Sequence, residues 1–378
     1  NLYATAINNT GTVRATGVAE KDGVVYFSAE NGIVRNAGSV IASDSQDQGG
    51  QISVESGSLL NSGVLRADGV QQGGSIHIQS DAISAGKLSA TGDQVGGDIQ
   101  LDSQKLTLAD DIDASSSEGQ GGSVLMRSLL ESFEMKTSQV DASGKTLGGS
   151  IRHLSDGKVF TAGNYDVSSA RGKGGWIDLT GNTVTSLSAS FYAFGQEAGG
   201  LIRIGGAFQG GKTPNLSNSD DVEGFISRWG DLASLASANS TFLNDSSSID
   251  ISSAAGDAGT AIVWSNELTS FAASISGQGA TNGGYVEISA ANYLQHVSLE
   301  NVHLGNNGSL LLDPKNITIG NPGTTFSPGI VFSDNVGGSS TFDVAGLKSF
   351  LDSGSNIALQ ASNDIYFNDA LLVDNTSG

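Results

Sequence analysis

The chain has 378 residues, with 53 Gly, 4 Pro and no Cys, and its 18 basic and 39 acidic side chains leave a net charge of −21. That balance argues against nucleic acid, whose binding needs clustered Lys and Arg, and against unaided docking on anionic lipid. No stretch approaches the roughly 18 apolar residues of a membrane span, the missing cysteines exclude disulfides and thiolate-bound metal, and a 38% hydrophobic content argues against disorder.

In chain order, a small-residue pair opens one short apolar strand after another. Asp22-Gly23-Val-Val-Tyr-Phe is a weak first member. Gly49-Gly50, Gly73-Gly74, Gly96-Gly97, Gly121-Gly122, Gly148-Gly149, Gly174-Gly175 and Gly199-Gly200 follow, then Ala258-Gly259 and Gly283-Gly284. The intervals between first residues are 27, 24, 23, 25, 27, 26, 25, 59 and 25. A period near 25 residues with alternating apolar positions means stacked β coils that grow along one axis.

One coil reads as Asp98-Ile-Gln-Leu101, Lys105-Leu-Thr-Leu108 and Ile112-Asp-Ala-Ser115. Three short strands per turn describe an all-β, three-sided parallel β-helix. The inward set is Ile52, Val54, Ile76, Ile78, Ile99, Leu101, Val124, Met126, Ile177, Leu179, Ile202 and Ile204. Asn9, Asn36 and Asn61 recur before a turn, where stacked amides can bond along the axis. The third strand repeats a small residue at Ala15, Ala67, Ala90 and Ala142, which predicts a tight interior on that side.

An outward column carries Arg152, Asp178 and Arg203 on neighbouring coils, a solvent-exposed charge ladder by its spacing. The first outward position after the Gly pair turns apolar at Trp176 and Leu201. The 59-residue interval holds one coil plus an insertion between Gly206 and Ala238. Within it Asp220-Asp-Val-Glu223 forms a capping box, and Val222, Phe225, Ile226, Trp229, Leu232 and Leu235 fall at helical spacing. Trp176, Leu201, Phe225 and Trp229 therefore form a candidate patch. The amphipathic helix either covers the strip or leaves an open glycan- or receptor-binding surface.

These patterns divide the chain into coils over 1–205, an inserted loop and helix over 206–238, further coils over 239–313, and a Pro-containing connector with more coils over 314–378. Asp343 to Leu351 reads as a short helix. The chain starts without Met or a signal peptide and reads as an internal or processed piece.

No chemistry stands out. His77, His153, His296 and His303 lack metal-ligand spacing, and His153 occupies an otherwise apolar position, which predicts fraying or a bulge. Asp110, Asp111 and Asp113 lack a calcium-loop pattern, and the segment from Gly205 to Gly211 lacks phosphate-loop residues. The expectation is no cofactor, no metal and no enzyme.

Tyr3-Ala-Thr-Ala-Ile-Asn-Asn9, Gly199-Gly-Leu-Ile-Arg-Ile-Gly-Gly206, Ala261-Ile-Val-Trp-Ser265 and Gly308-Ser-Leu-Leu-Leu-Asp-Pro-Lys-Asn-Ile-Thr-Ile319 carry a family likeness. Ala358-Leu-Gln-Ala-Ser-Asn-Asp-Ile365 adds to it. Together they resemble the filamentous-haemagglutinin type of exoprotein, the secreted adhesin of two-partner secretion in Gram-negative bacteria. The resemblance implies a right-handed parallel β-helix and export through an outer-membrane transporter. It further implies work at the cell surface on a glycan or protein receptor, with no membrane insertion. The family's amino-terminal secretion domain is not recognised in the chain. Haem-acquisition proteins and the stalks of contact-dependent toxins are specialised relatives. The alternative is a β-helix polysaccharide lyase or hydrolase, which clusters carboxylates and bases on adjacent coils.

Overall fold

The structure, a computed structural model, describes residues 2–16, 23–43, 48–211, 234–320 and 340–373. It is a β-solenoid of about 11 turns. Each coil pairs in parallel with the next, and the register confirms the period. Gln51, Ser75, Asp98, Ser123, Ser150, Trp176 and Leu201 stand side by side on successive coils.

The glycine pair closes each coil. The second glycine N–H donates across the corner to a third-strand carbonyl: Gly74 to Ala67 at 2.7 Å, Gly97 to Ala90 at 2.7 Å, Gly122 to Ala114 at 2.8 Å. The same bond recurs from Gly149 to Ala142, Gly175 to Val167 and Gly200 to Ala193. A Cβ on Gly97 would lie 2.2 Å from the Gly74 carbonyl oxygen and 2.8 Å from the Ala90 methyl. A Cβ on Gly96 would lie 1.9 Å from the Ala114 oxygen. Neither position accepts a side chain, which is why the pair recurs.

All twelve residues of the inward set are buried. They belong to one continuous apolar core running along the axis, with Ala67, Ala90 and Ala142 filling its narrow side. The Asn column forms as expected: Asn9 donates to Asn36 at 2.8 Å, and Asn36 to Asn61 at 2.7 Å. The run ends at Asn61, whose buried Nδ2 has no acceptor. The next coil supplies none, because Leu60 pairs with Ser84 and Ala85 follows it.

The first two strands of a coil differ from the three-strand reading. In the early coils they fuse into one bent strand, as in Gln51–Asn61, Ser75–Ala85 and Asp98–Leu108. They separate only later, as Ser150–Ser155 and Lys158–Thr161. The ladder carries on round the bend because parallel neighbours bend together; Asp156-Gly157 and Gly181-Asn182 supply the later breaks.

The insertion leaves the stack after Leu201–Ile204 and returns at Ser240–Leu243. Leu201 pairs directly with Thr260, and Thr183 with Ser240, so the extra residues skip no coil. Residues 212–233, including Phe225, Ile226 and Trp229 of the expected helix, lie outside the described residues. Further on, Ser309–Leu312 pairs with Asn356–Leu359, and Asn316–Ile319 with Asp364–Phe367. The short helix is Val344–Asp352, capped by the Asp343 carboxylate on the Gly346 N–H and burying Leu347 and Phe350.

Gly97→Ala is expected to cost about 3 kcal/mol, since the forced Cβ must push two backbones apart. Gly11→Ala, with nothing within 4 Å of its Cβ, is expected to change stability by less than about 0.5 kcal/mol. Denaturant unfolding followed by circular dichroism checks both, and equal costs would contradict the packed corner.

Candidate functional site

The interior is filled, so any ligand must meet the outer wall. Period-two alternation sends Arg152, Asp178 and Arg203 outward in one column, and the ladder pairs them directly. Arg203 Nε and Nη2 reach the two Asp178 oxygens at 2.7 and 2.9 Å, and Arg152 Nε reaches Oδ2 at 3.2 Å. The expectation of a solvent-exposed ladder is corrected here. Asp178 is 1% exposed and Arg203 4%. The chain's exit and return lie on the same wall. The turn over residues 205–211 doubles back on the sheet, where the Gln209 N–H donates to Glu287 at 3.0 Å. Buried Leu235 returns beside Ala236, whose carbonyl accepts the Thr180 hydroxyl at 2.7 Å. A guanidinium fork on a buried carboxylate is a packing anchor, because removing one partner strands a charge in low dielectric.

Of the candidate patch, the described residues Trp176 and Leu201 are direct neighbours on successive coils. Leu201 is buried in a second apolar cluster with Phe208, Ile262, Trp264, Tyr285 and Leu311. Trp264 lies under the turn so closely that a Cβ on Gly210 would sit 2.7 Å from its ring, and Gly210 holds φ at +72°. Trp176, one coil earlier, stays 38% exposed. Phe225 and Trp229 fall among the residues not described. The covered face had a signal: Leu201–Ile204, Thr260–Val263 and Tyr285–Ile288 are buried at every position and lose the alternation of a one-sided strand.

Among the described residues, two grooves along the rod stand out. The first, about 670 Å³, follows the bend between first and second strands. A column of hydroxyls lines it, with Ser56 to Ser80 at 2.9 Å and Ser128 to Ser155 at 2.8 Å. Glu55, Asp81, Asp102 and Asp156 face it together with Arg127 and Arg152. Three of its acids are engaged: Asp102 meets His77 and Arg127, each at 3.4 Å, Glu55 accepts from Tyr26 at 2.5 Å, and Asp81 from Gln104 at 2.8 Å. The second groove, about 830 Å³, is floored by the glycine pairs and has Trp176 at its far end.

His153 sits in the core with neither fraying nor bulge, pairing in register with Met126 and Leu179. The expected irregularity is corrected by its hydrogen bonds. Its Nε2 meets the Ser132 hydroxyl at 2.5 Å and its Nδ1 the Tyr165 hydroxyl at 2.8 Å. Beside them Glu134 accepts from Ser138 at 3.0 Å and from Thr161. Burial lowers His153 to about 4 and raises Glu134 to about 7, so both are held neutral in the apolar interior near pH 6. Nothing external reaches this Ser–His pair; it is a satisfied polar core. Burial likewise lifts Glu287, under the turn, to about 8.

Sequence reading missed one acidic column. Asp113, Asp141 and Asp166 stack in register, each accepting the N–H two residues on, from Ser115, Ser143 and Ser168. Burial first, then the neighbouring carboxylates, raises Asp141 to about 6. The repeated Asp-x-Ser of the third strand was its signal. These are turn-forming contacts, and no group of His, Asp or Glu suited to a metal ion occurs among the described residues.

No family model and no curated protein matches the chain. Among solved structures, it is similar to the crystal structure of the HMW1 secretion domain from Haemophilus influenzae, with 13% identity and a TM-score of 0.44, over 96% of this chain and 93% of that one.

The buried acids set a pH dependence. Folded Glu134 and Glu287 hold protons that the unfolded chain, at 4.5, releases, so stability falls as pH rises from 4.5 through about 7 and 8. Folded His153 stays neutral where the unfolded ring, at 6.5, is charged, so its term rises only between about 4 and 6.5. Between pH 6.5 and 8 the glutamates act alone on this balance. The unfolding midpoint is expected to drop across that window, and to drop less in the Glu134→Gln, Glu287→Gln double variant. Parallel profiles for the two proteins would contradict the buried, protonated acids.

Proposed function

We propose that this chain is a rod-like segment of a large secreted or cell-surface adhesin of the filamentous-haemagglutinin type, exported by two-partner secretion from a Gram-negative bacterium and attaching to host cells, other bacteria or matrix glycans. The observation that carries the reading is the parallel stack from Leu2 to Phe367, with a filled interior and a varied outer wall. Such a body, packed along its axis throughout the described residues, presents function along its side, over many coils. Export suits the same construction. Each coil rests mainly on its neighbours, so the chain can fold progressively as it emerges from a pore, and no disulfide has to form. The resemblance of Gly308-Ser-Leu-Leu-Leu-Asp-Pro-Lys-Asn-Ile-Thr-Ile319 to exported adhesins supports the same assignment.

A carbohydrate-active enzyme is the second reading, resting on Glu55, Asp81 and Asp102 in the first groove with His77 and Arg127 nearby. The two readings separate with purified protein on beads. Adhesin function predicts saturable binding to epithelial or bacterial cells that soluble chain competes away. Binding no better than albumin-coated beads across such a panel would overturn it. So would release of reducing ends from an acidic polysaccharide that is lost in Asp102→Asn.

A further inference from the structure

We propose that the glycine-floored groove binds a linear, uncharged polysaccharide, with the Trp176 indole as its stacking platform. The proposal deepens the attachment reading above and rests on it. What points to a ligand is the wall chemistry rather than the small floor. Val95, Leu147 and Trp176 are 39%, 37% and 38% exposed and line the same groove. Val95 and Leu147 alternate with the amides of Gln72 and Gln120 in one column, and Trp176 follows the hydroxyls of Ser75, Ser123 and Ser150 in the other. Apolar faces interleaved with neutral donors and acceptors are the complement of a sugar chain, whose rings carry C–H faces edged by hydroxyls.

The charge is also selective. Against a net charge of −21 for the chain, Asp98 and Lys173 are the ionic residues lining this groove. Asp98 is occupied by the Ser123 hydroxyl. The first groove, by contrast, has several carboxylates. An anionic glycan would find little to neutralise it here.

The backbone argues against a peptide. An extended peptide gains affinity by adding a strand to unpaired main-chain groups. Here they are used: Gly73 N–H donates to Val95, Gly74 N–H to Ala67, and the Gly50 and Gly74 carbonyls accept from Ser75 and Asp98. Recognition falls to the side chains. Successive coils rise by about 4.8 Å, so from Gln72 to Leu147 the amide and apolar side chains each recur at about 10 Å, close to the length of one disaccharide in an extended chain. The groove stops at Trp176 because Leu201, next in the column, is buried under Phe208.

Calorimetric titration of the purified chain with neutral hexaoses, namely cellohexaose, mannohexaose and maltohexaose, tests the proposal. At least one is expected to bind and to perturb tryptophan fluorescence. Trp176→Ala should weaken that binding at least tenfold, while Trp176→Phe keeps most of it. The unfolding midpoint of both variants should stay within error of the parent, since the side chain stands outside the core. No binding by any of the three, or binding unchanged in Trp176→Ala, would overturn the groove assignment. Stronger binding of an oligogalacturonate of equal length would overturn the preference for an uncharged chain. Bead adhesion is read in parallel: adhesion that persists without hexaose binding removes this site and leaves the adhesin reading standing. Loss of adhesion in the parent protein removes that reading itself.

Discussion

The whole rod depends on one tight corner. At each glycine pair the chain passes so near the third strand and the coil below that the neighbour's carbonyl oxygen occupies the place of a Cβ. The amide of the second glycine turns that closeness into a hydrogen bond of 2.7–3.1 Å, repeated from coil to coil. A corner that admits no side chain fixes the turn, and the turn fixes the phase of the strand that follows. With the phase fixed, every inward position on one coil falls on an inward position of the next. Slipping by one residue would send the entire core outward, so the register is strongly specified.

From that regularity the departures gain meaning. Where the wall must bury its outer side too, the strands Leu201–Ile204, Thr260–Val263 and Tyr285–Ile288 abandon alternation. The turn over residues 205–211 seals them, and the buried fork between Arg203 and Asp178 sits on the same face. Upstream the wall carries the glycine-floored groove, and the first groove runs up to the returning segment at Leu235 and Ala236. The rod is thus divided lengthwise into an exposed stretch suited to contact and a capped stretch.

Much of this was legible in the residues. The period, the inward set, the Asn column and the helix near residue 344 all follow from local spacing, because each coil repeats the same short-range geometry. Other features were not. His153 looked misplaced since its partners, Ser132 and Tyr165, lie 21 and 12 residues away and meet it only across the core. Arg203 looked exposed since its burial and its fork to Asp178 arise from tertiary packing that the repeat does not announce. The acidic column of Asp113, Asp141 and Asp166 was hidden for a different reason: its members serve as turn formers, and turn residues were read as punctuation. The Trp176 groove shows the same limit. Its floor was the loudest pattern in the sequence, yet its walls belong to residues on either side of the pair that come together only on stacking.

The stack itself can be measured. Ser75 and Ser309 share one outward column, eight successive pairings apart. Spin labels at these two positions, read by pulsed electron resonance, should give a distance of about 38 Å, from coils rising about 4.8 Å each. A narrow distribution at that value supports a glycine-cornered stack in register. A broad distribution, or a mean below about 25 Å, would contradict it.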